Sequence, residues 1–187
     1  MTASDLFALA LRHYGPGLWL LLAVVGVELA NLLCGRRLNG LGILPRTAAG
    51  LPGIVLSPLL HNDLRHFTAN LPALTVLCFA LGRLLPAPFW AVIALLVTGT
   101  GLLVWLLARR RLHLGASGLI YGLLGFLTLQ GFLSGQLLWL AASVALLLLY
   151  SGILWGVLPT TARTSWESHL AGLGVGLALA WAQVFAP

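Results

Sequence analysis

Three short polar runs interrupt an otherwise apolar chain, and their residue types are those of acyl transfer. The first is His61, Asn62, Asp63, Leu64, Arg65, His66, Phe67, Thr68, Ala69, Asn70; the second is Gly115, Ala116, Ser117, Gly118; the third is Ser168 and His169. An unpaired polar side chain is costly in hydrocarbon, so polar groups kept inside apolar segments are the informative ones. A serine hydroxyl is a weak nucleophile until a base within about 3 Å takes its proton, and an imidazole can serve as that base. His66 and Asn70 are four residues apart and lie one above the other on a helical face, as do Ser117 and Tyr121. Ser117 opens an apolar run, and at a helix N-terminus free N–H groups and the helix dipole favour an oxyanion. Asn70 and His66 can add side-chain donors.

The elements that must position these groups follow from composition. The chain has 187 residues, 60% hydrophobic and 7% charged, with a mean hydropathy of +1.02, which a water-soluble domain could not carry on its surface. A spanning helix needs about 20 apolar residues, so the chain has room for about six spans and no separate soluble domain. The expectation is one membrane-embedded, all-α polytopic domain over 1–187, multi-pass in the cell membrane with the lipid bilayer as its surroundings. Apolar blocks fall at about 18–34, 64–85, 89–107, 115–133, 136–157 and 168–185. Residues 1–17 read as a short amphipathic lead-in with Ser4 as cap. Residues 35–63 form the one long loop, partly sunk in the interface, and the last connection, from Leu158 to Glu167, is the one able to move. Helices in a simple multispan chain alternate direction, so the second, fourth and sixth blocks start on one membrane face. That parity brings His66, Asn70, Ser117 and His169 to similar depth.

The other composition features exclude alternatives. All ten basic residues are Arg, against four acidic ones, giving +6, but they sit at the ends of apolar runs where they can snorkel to headgroups; no nucleic-acid partner is expected. Cys34 and Cys78 have no CxxC spacing and no pair of His beside them, so neither a disulfide framework nor a metal site is expected, and no cofactor is implied. The first apolar block lacks a small-residue cleavage site and reads as a retained helix. The seven Trp residues fall mostly near block ends, as an interfacial belt does.

The three polar runs resemble the signature of the rhomboid family of intramembrane serine proteases. The family pattern of His, four residues, His, three residues, Asn is matched by His61, His66 and Asn70. Its Gly-x-Ser-Gly is matched by Gly115, Ser117 and Gly118, and its His followed by spaced glycines by His169, Gly172 and Gly176. The resemblance covers the second to sixth blocks and implies a six-transmembrane-helix rhomboid-like bundle. It implies Ser117 as nucleophile, His169 as base, an oxyanion hole of His66, Asn70 and the Ser117 amide, and Tyr121 packed against the catalytic histidine. Gly118 with Gly122, and Gly172 with Gly176, would let the fourth and sixth spans approach closely. The implied partners are transmembrane-anchored protein substrates, and the implied reaction is hydrolysis of a peptide bond in or near their membrane segment. Two departures stand out. The Trp-Arg pair of many family first loops is absent between Gly35 and Asp63. Arg36, Arg37, Arg46, Arg65, Arg109, Arg110, Arg111 and Arg163 fall on the site's side against Arg12 and Arg83 opposite. The positive-inside rule turns that side to the cytoplasm, whereas the family's usual orientation, which is the one adopted, turns it outward.

Plainer readings compete at each position. An intramembrane serine alone is usually a packing residue bonded to its own i−4 carbonyl. His61 reads as structural, and His113, four residues before Ser117, is a rival base if Gly115 does not start the helix. No carboxylate is placed for a triad, because Glu167 is two residues before His169 and faces elsewhere. Glu28 reads as an interhelical hydrogen bond or a partner of Arg36 or Arg37, and the Arg109–Arg111 run as a solvated loop. His13 has no evident partner. Two functions compete with proteolysis: a catalytically inactive rhomboid-like protein that binds transmembrane helices, and a small transporter, for which symmetry-related broken helices are missing.

Overall fold

The computed structural model describes residues 2–85, 88–159 and 165–184. Seven α-helices follow in order: α1 (Ala3–Leu33), α2 (Gly53–Leu56), α3 (Leu64–Leu84), α4 (Phe89–Leu107), α5 (Ser117–Leu133), α6 (Leu137–Leu154) and α7 (Trp166–Val184). Among the described residues the only β pairing is one isolated bridge, Ile43 with His113. The protein is an all-helical integral membrane protein. Among the described residues four stretches are long and apolar enough to cross a bilayer: Ser4–Leu33, Leu64–Leu84, Phe89–Leu107 and Leu137–Val157. The other two long helices, α5 and α7, have 17 and 19 residues. They fall short of the same standard because α5 is short and α7 opens with Trp-Glu-Ser-His, and the arrangement is compatible with six crossings.

The N-terminal segment corrects the expectation of a separate lead-in. Its described residues belong to α1, which runs unbroken through Pro16 for 31 residues, about 46 Å at 1.5 Å per residue and longer than the ~30 Å hydrocarbon layer. The cap is Thr2, not Ser4. Thr2 Oγ1 accepts from the Asp5 amide at 3.2 Å while Asp5 Oδ2 accepts from the Thr2 amide at 2.8 Å, a reciprocal capping box that draws Ser4 into the first turn. His13 does have a partner: its Nδ1 lies 3.1 Å from the Gly82 carbonyl, so that Nδ1–H donates across the α1–α3 contact. A Cβ at Gly82 would meet the His13 carbonyl oxygen at 2.0 Å, which requires glycine there.

The core explains why α5 holds the centre. Every residue from Ser117 to Thr128 is buried, as expected of a helix apolar on all sides. Leu74, Leu77 and Leu81 of α3, Phe89 and Leu96 of α4, and Leu123, Leu124 and Phe126 of α5 interlock in one cluster. In α6, by contrast, only Ser143 is buried, so that helix turns its Leu-rich surface outward. Helices α5 and α7 meet backbone to backbone: a Cβ at Gly172 would lie 2.0 Å from the Gly118 carbonyl oxygen, and one at Gly176 would lie 2.0 Å from that of Gly122. The paired glycines thus form the crossing that brings the fifth and seventh helices together.

The loop from Cys34 to Asp63 is fastened at several points. Ile43 and His113 exchange backbone bonds of 3.1 and 2.9 Å. Arg46 donates from Nη1 to the Leu106 and Ala108 carbonyls, both at 2.9 Å, satisfying orphan acceptors at the end of α4. Trp105 of α4 returns a hydrogen bond from Nε1 to the Thr47 carbonyl at 2.9 Å. The loop lacks a Trp-Arg pair in its own sequence, and these contacts bring a Trp and an Arg together there from two elements.

Candidate active site

Ser117 is the first residue of α5, and the turn before it depends on glycine. Gly115 has φ +114, and a Cβ there would meet His66 Cε1 at 2.5 Å. The Gly115 amide donates to the Ser57 carbonyl at 2.9 Å, which ties the turn to the first loop. His66 is set by the cap of α3, where Asp63 Oδ1 accepts from the His66 amide at 2.7 Å. His169 stands in the first turn of α7, directly above the Gly118–Gly172 crossing.

These elements place Ser117 Oγ 2.9 Å from His169 Nε2. The other ring nitrogen, Nδ1, lies 2.8 Å from the Gly156 carbonyl oxygen. A carbonyl only accepts, so Nδ1 carries the proton and Nε2 presents its lone pair to the serine hydroxyl. The Tyr121 ring lies against the His169 ring, and the Tyr121 hydroxyl donates to the Ile153 carbonyl. Asn70 Nδ2 is buried and has no hydrogen-bond partner among the described residues. That orphan donor, with His66, flanks the Gly115 turn just ahead of Ser117. The Ser117 amide is a first-turn N–H without an intrahelical acceptor. One cavity of about 620 Å³ is lined by Ser117, His169, His66, Asn70 and Tyr121 together. It is large enough for water, whose share of liquid volume is about 30 Å³ per molecule.

The chain matches the Rhomboid domain over residues 49–184. This is a member of the rhomboid family. Two relatives extend the likeness across most of the rhomboid chain. An uncharacterised protein of Mycobacterium tuberculosis (strain H37Rv) is 35% identical over 165 residues, 83% of this chain and 68% of the relative. An uncharacterised protein of Mycobacterium leprae (strain TN) is 33% identical over 163 residues, 83% of this chain and 65% of the relative.

The remaining histidines of this rhomboid have other surroundings. His113 is buried and cannot serve Ser117, because both its nitrogens are engaged: Nε2 faces the Arg109 carbonyl at 3.0 Å, and Nδ1 faces Ser165 Oγ at 2.5 Å. Burial, ahead of any charge, lowers its pKa. His61 lies outside the cavity wall, fully buried, with its ring edge-on to His66 at 5.3 Å. Glu167 is held by the Arg109 guanidinium through two contacts, with Arg111 at 3.9 Å, so no carboxylate orients His169 among the described residues. A backbone carbonyl takes that part. Gly156 is a position of this candidate site that sequence reasoning missed. A Cβ there would meet Tyr121 Oη at 2.2 Å and His169 Nδ1 at 3.0 Å, but nothing in the run Trp-Gly-Val-Leu-Pro marks its carbonyl as a hydrogen-bond acceptor.

Proposed function

We propose that this rhomboid is an intramembrane serine endopeptidase, multi-pass in the cell membrane, that hydrolyses a peptide bond in or near the transmembrane segment of membrane-anchored proteins. The observation that carries the reading is the Ser117–His169 contact of 2.9 Å with Nδ1 held on the Gly156 carbonyl.

In the proposed reaction His169 Nε2 removes the proton from Ser117 Oγ as that oxygen adds to the scissile carbonyl. The developing oxyanion receives hydrogen bonds from the Ser117 amide, Asn70 Nδ2 and His66. Collapse of the tetrahedral adduct breaks the C–N bond, and the imidazolium gives its proton to the leaving amine. Water admitted through the cavity then adds to the acyl ester, with His169 again taking and returning the proton, to release a carboxylate and free Ser117. The orphaned Asn70 donor supports this account: an unsatisfied buried amide is costly in the resting protein and gains its partner when charge develops on the carbonyl oxygen.

The test is cleavage of a transmembrane substrate by purified protein in lipid vesicles. Ser117→Ala and His169→Ala are each expected to lower turnover by at least ~10³-fold, and Asn70→Ala by ~10²-fold without loss of folded protein. Equal activity in wild type, Ser117→Ala and His169→Ala would remove the mechanism. Binding of transmembrane helices with no cleavage by wild type would replace it with the helix-binding function.

A further inference from the structure

Glu28 is an ionisable group inside α1, 1% exposed. A lone carboxylate at that depth would be expensive, but it faces two partners. Arg36 Nη1 lies 2.7 Å from Oε1, as a plain ion pair requires. The second oxygen, Oε2, faces Nδ1 of His61 at 3.7 Å, an electrostatic contact longer than a hydrogen bond, and that nitrogen has no hydrogen-bond partner among the described residues. Across the same ring, Nε2 receives the Ala116 amide at 3.5 Å. Ala116 immediately precedes Ser117. One imidazole therefore reaches from a carboxylate in α1 to the backbone of the turn that presents the serine.

The ring's protonation follows from these contacts. An amide donor on Nε2 requires a bare nitrogen there, so the proton sits on Nδ1 and points at Glu28. Burial, ahead of the neighbouring charges of His66 and Arg36, pushes the His61 pKa down to about 4, which keeps the ring in its single-proton form at neutral pH. The segment carrying His61 is itself fastened to α1. Arg36, in the left-handed region at φ 64, donates to the His61 carbonyl at 2.9 Å, and Asn39 donates to the same oxygen at 3.2 Å. Asn31 of α1 in turn donates to Asn39 at 2.8 Å. The ring of His61 thus faces the first helix, and its backbone is held by the turn that follows that helix; α1 itself contributes no residue to the cavity lining.

We infer that Glu28 is a positioning residue for the nucleophile: its buried carboxylate orients the His61 ring, which holds the Ala116 amide and so fixes the turn that presents Ser117. The inference rests on the serine-protease reading above for its catalytic consequence but not for the positioning itself. Arg36 would be left without its carboxylate by a single apolar substitution at Glu28. The informative variants are therefore Glu28→Gln, which retains a carbonyl acceptor, and the double variant Glu28→Leu/Arg36→Gln, which removes the ion pair without leaving a buried charge and keeps a donor at position 36 for the His61 carbonyl.

Both would be compared with wild type as the full chain in lipid vesicles, by hydrogen exchange at the Ala116 amide and by kcat and KM for a transmembrane substrate. The double variant is expected to exchange about 10-fold faster at Ala116, with kcat down by 10- to 100-fold, of the order seen for misplaced catalytic groups, and KM within about 2-fold. Glu28→Gln is expected to stay within about 3-fold of wild type on every readout, because the conservative acceptor rescues the ring's orientation. Wild-type exchange in the double variant, or equal damage from both variants, would overturn the inference. A wild-type protein that cleaves nothing but shows the expected exchange pattern would remove the protease reading and leave the positioning role standing.

Discussion

Tyr121 lies flat on His169, with ring centroids 4.3 Å apart and planes 10° from parallel. Both rings then reach for carbonyls of one short segment at the end of α6, Tyr121 for Ile153 and His169 for Gly156. The His169 imidazole is therefore clamped on a face and on an edge. Removing the face contact while keeping the fold should be measurable: a stacked pair contributes about 0.5–1.5 kcal/mol. Tyr121→Phe retains the stack and is expected to keep turnover within about 5-fold of wild type, while Tyr121→Ala should lose about 10-fold. Equal turnover in the two variants would show that the stack does not hold the imidazole.

The edge contact has a sharper steric test. Gly156→Ala places a methyl 2.2 Å from Tyr121 Oη and 3.0 Å from His169 Nδ1. Both groups must move, and a displacement of about 1 Å in a catalytic group lowers turnover about 10²-fold. Gly152→Ala, one turn earlier with no atom within 4 Å of the added methyl, should leave turnover unchanged. The kinetic comparison of these two variants separates loss of position from loss of helix flexibility.

The α5–α7 crossing should be equally selective. Gly172→Ala and Gly176→Ala drive a methyl to 2.0 Å from a carbonyl oxygen, whereas Gly174→Ala meets nothing within 4 Å. The first two are expected to destabilise the fold by about 1–3 kcal/mol, the range of overpacking, and the third to be neutral or slightly stabilising. Unfolding midpoints in mixed micelles would read this directly. A Gly174→Ala variant as damaged as Gly172→Ala would place the crossing elsewhere.

His61 imposes a pH dependence on stability. Its folded pKa is near 4 against an ordinary 6.5, so between those values the unfolded chain binds a proton that the folded chain refuses. Stability from this group is complete above about pH 6.5 and is lost as pH falls toward 4, by about 1.4 kcal/mol per pH unit or roughly 3 in all. His113, also lowered by burial, acts in the same direction. Unfolding midpoints measured from pH 8 to 4 should fall, and less steeply in His61→Gln. Parallel profiles would show that the ring is solvated in the native state.

Much of this site was legible because side chains were its currency. Ser117, His169, His66 and Asn70 have distinctive chemistry and occur at the starts of alternating blocks, so parity alone put them on one face. Glu28 was legible as an ion-pair partner of Arg36 or Arg37, and Arg36 is the residue it meets. What escaped notice was contributed by backbone. Gly156 orients the His169 ring with a carbonyl, and any residue type has one; only the space around its Cα demands glycine. The N-terminal boundary differs from the sequence pattern for a related reason. Apolar content alone starts the first block at about 18, but α1 runs through Pro16 because in a bundle Gly17 packs against Cys78 and Phe79, and tertiary contact overrides local propensity. The Thr2–Asp5 spacing did carry a capping-box signal, which the competing Ser4 obscured.

Four arginines of the site-bearing face have structural occupations. Arg36 is paired with Glu28, Arg46 caps the end of α4, and Arg109 and Arg111 both approach Glu167; Arg163 lies outside the described residues, as does Thr161 beside it in the final connection. Of the seven described arginines on that face, those four are clamps, which leaves Arg37, Arg65 and Arg110 standing exposed. Arg12 and Arg83 stand on the other face. Three against two is close to parity. A surplus that resembled a vote on which compartment the cavity faces is largely a set of internal fasteners, and a charge tally weighted by what each guanidinium holds is nearly silent about the direction in which the molecule points.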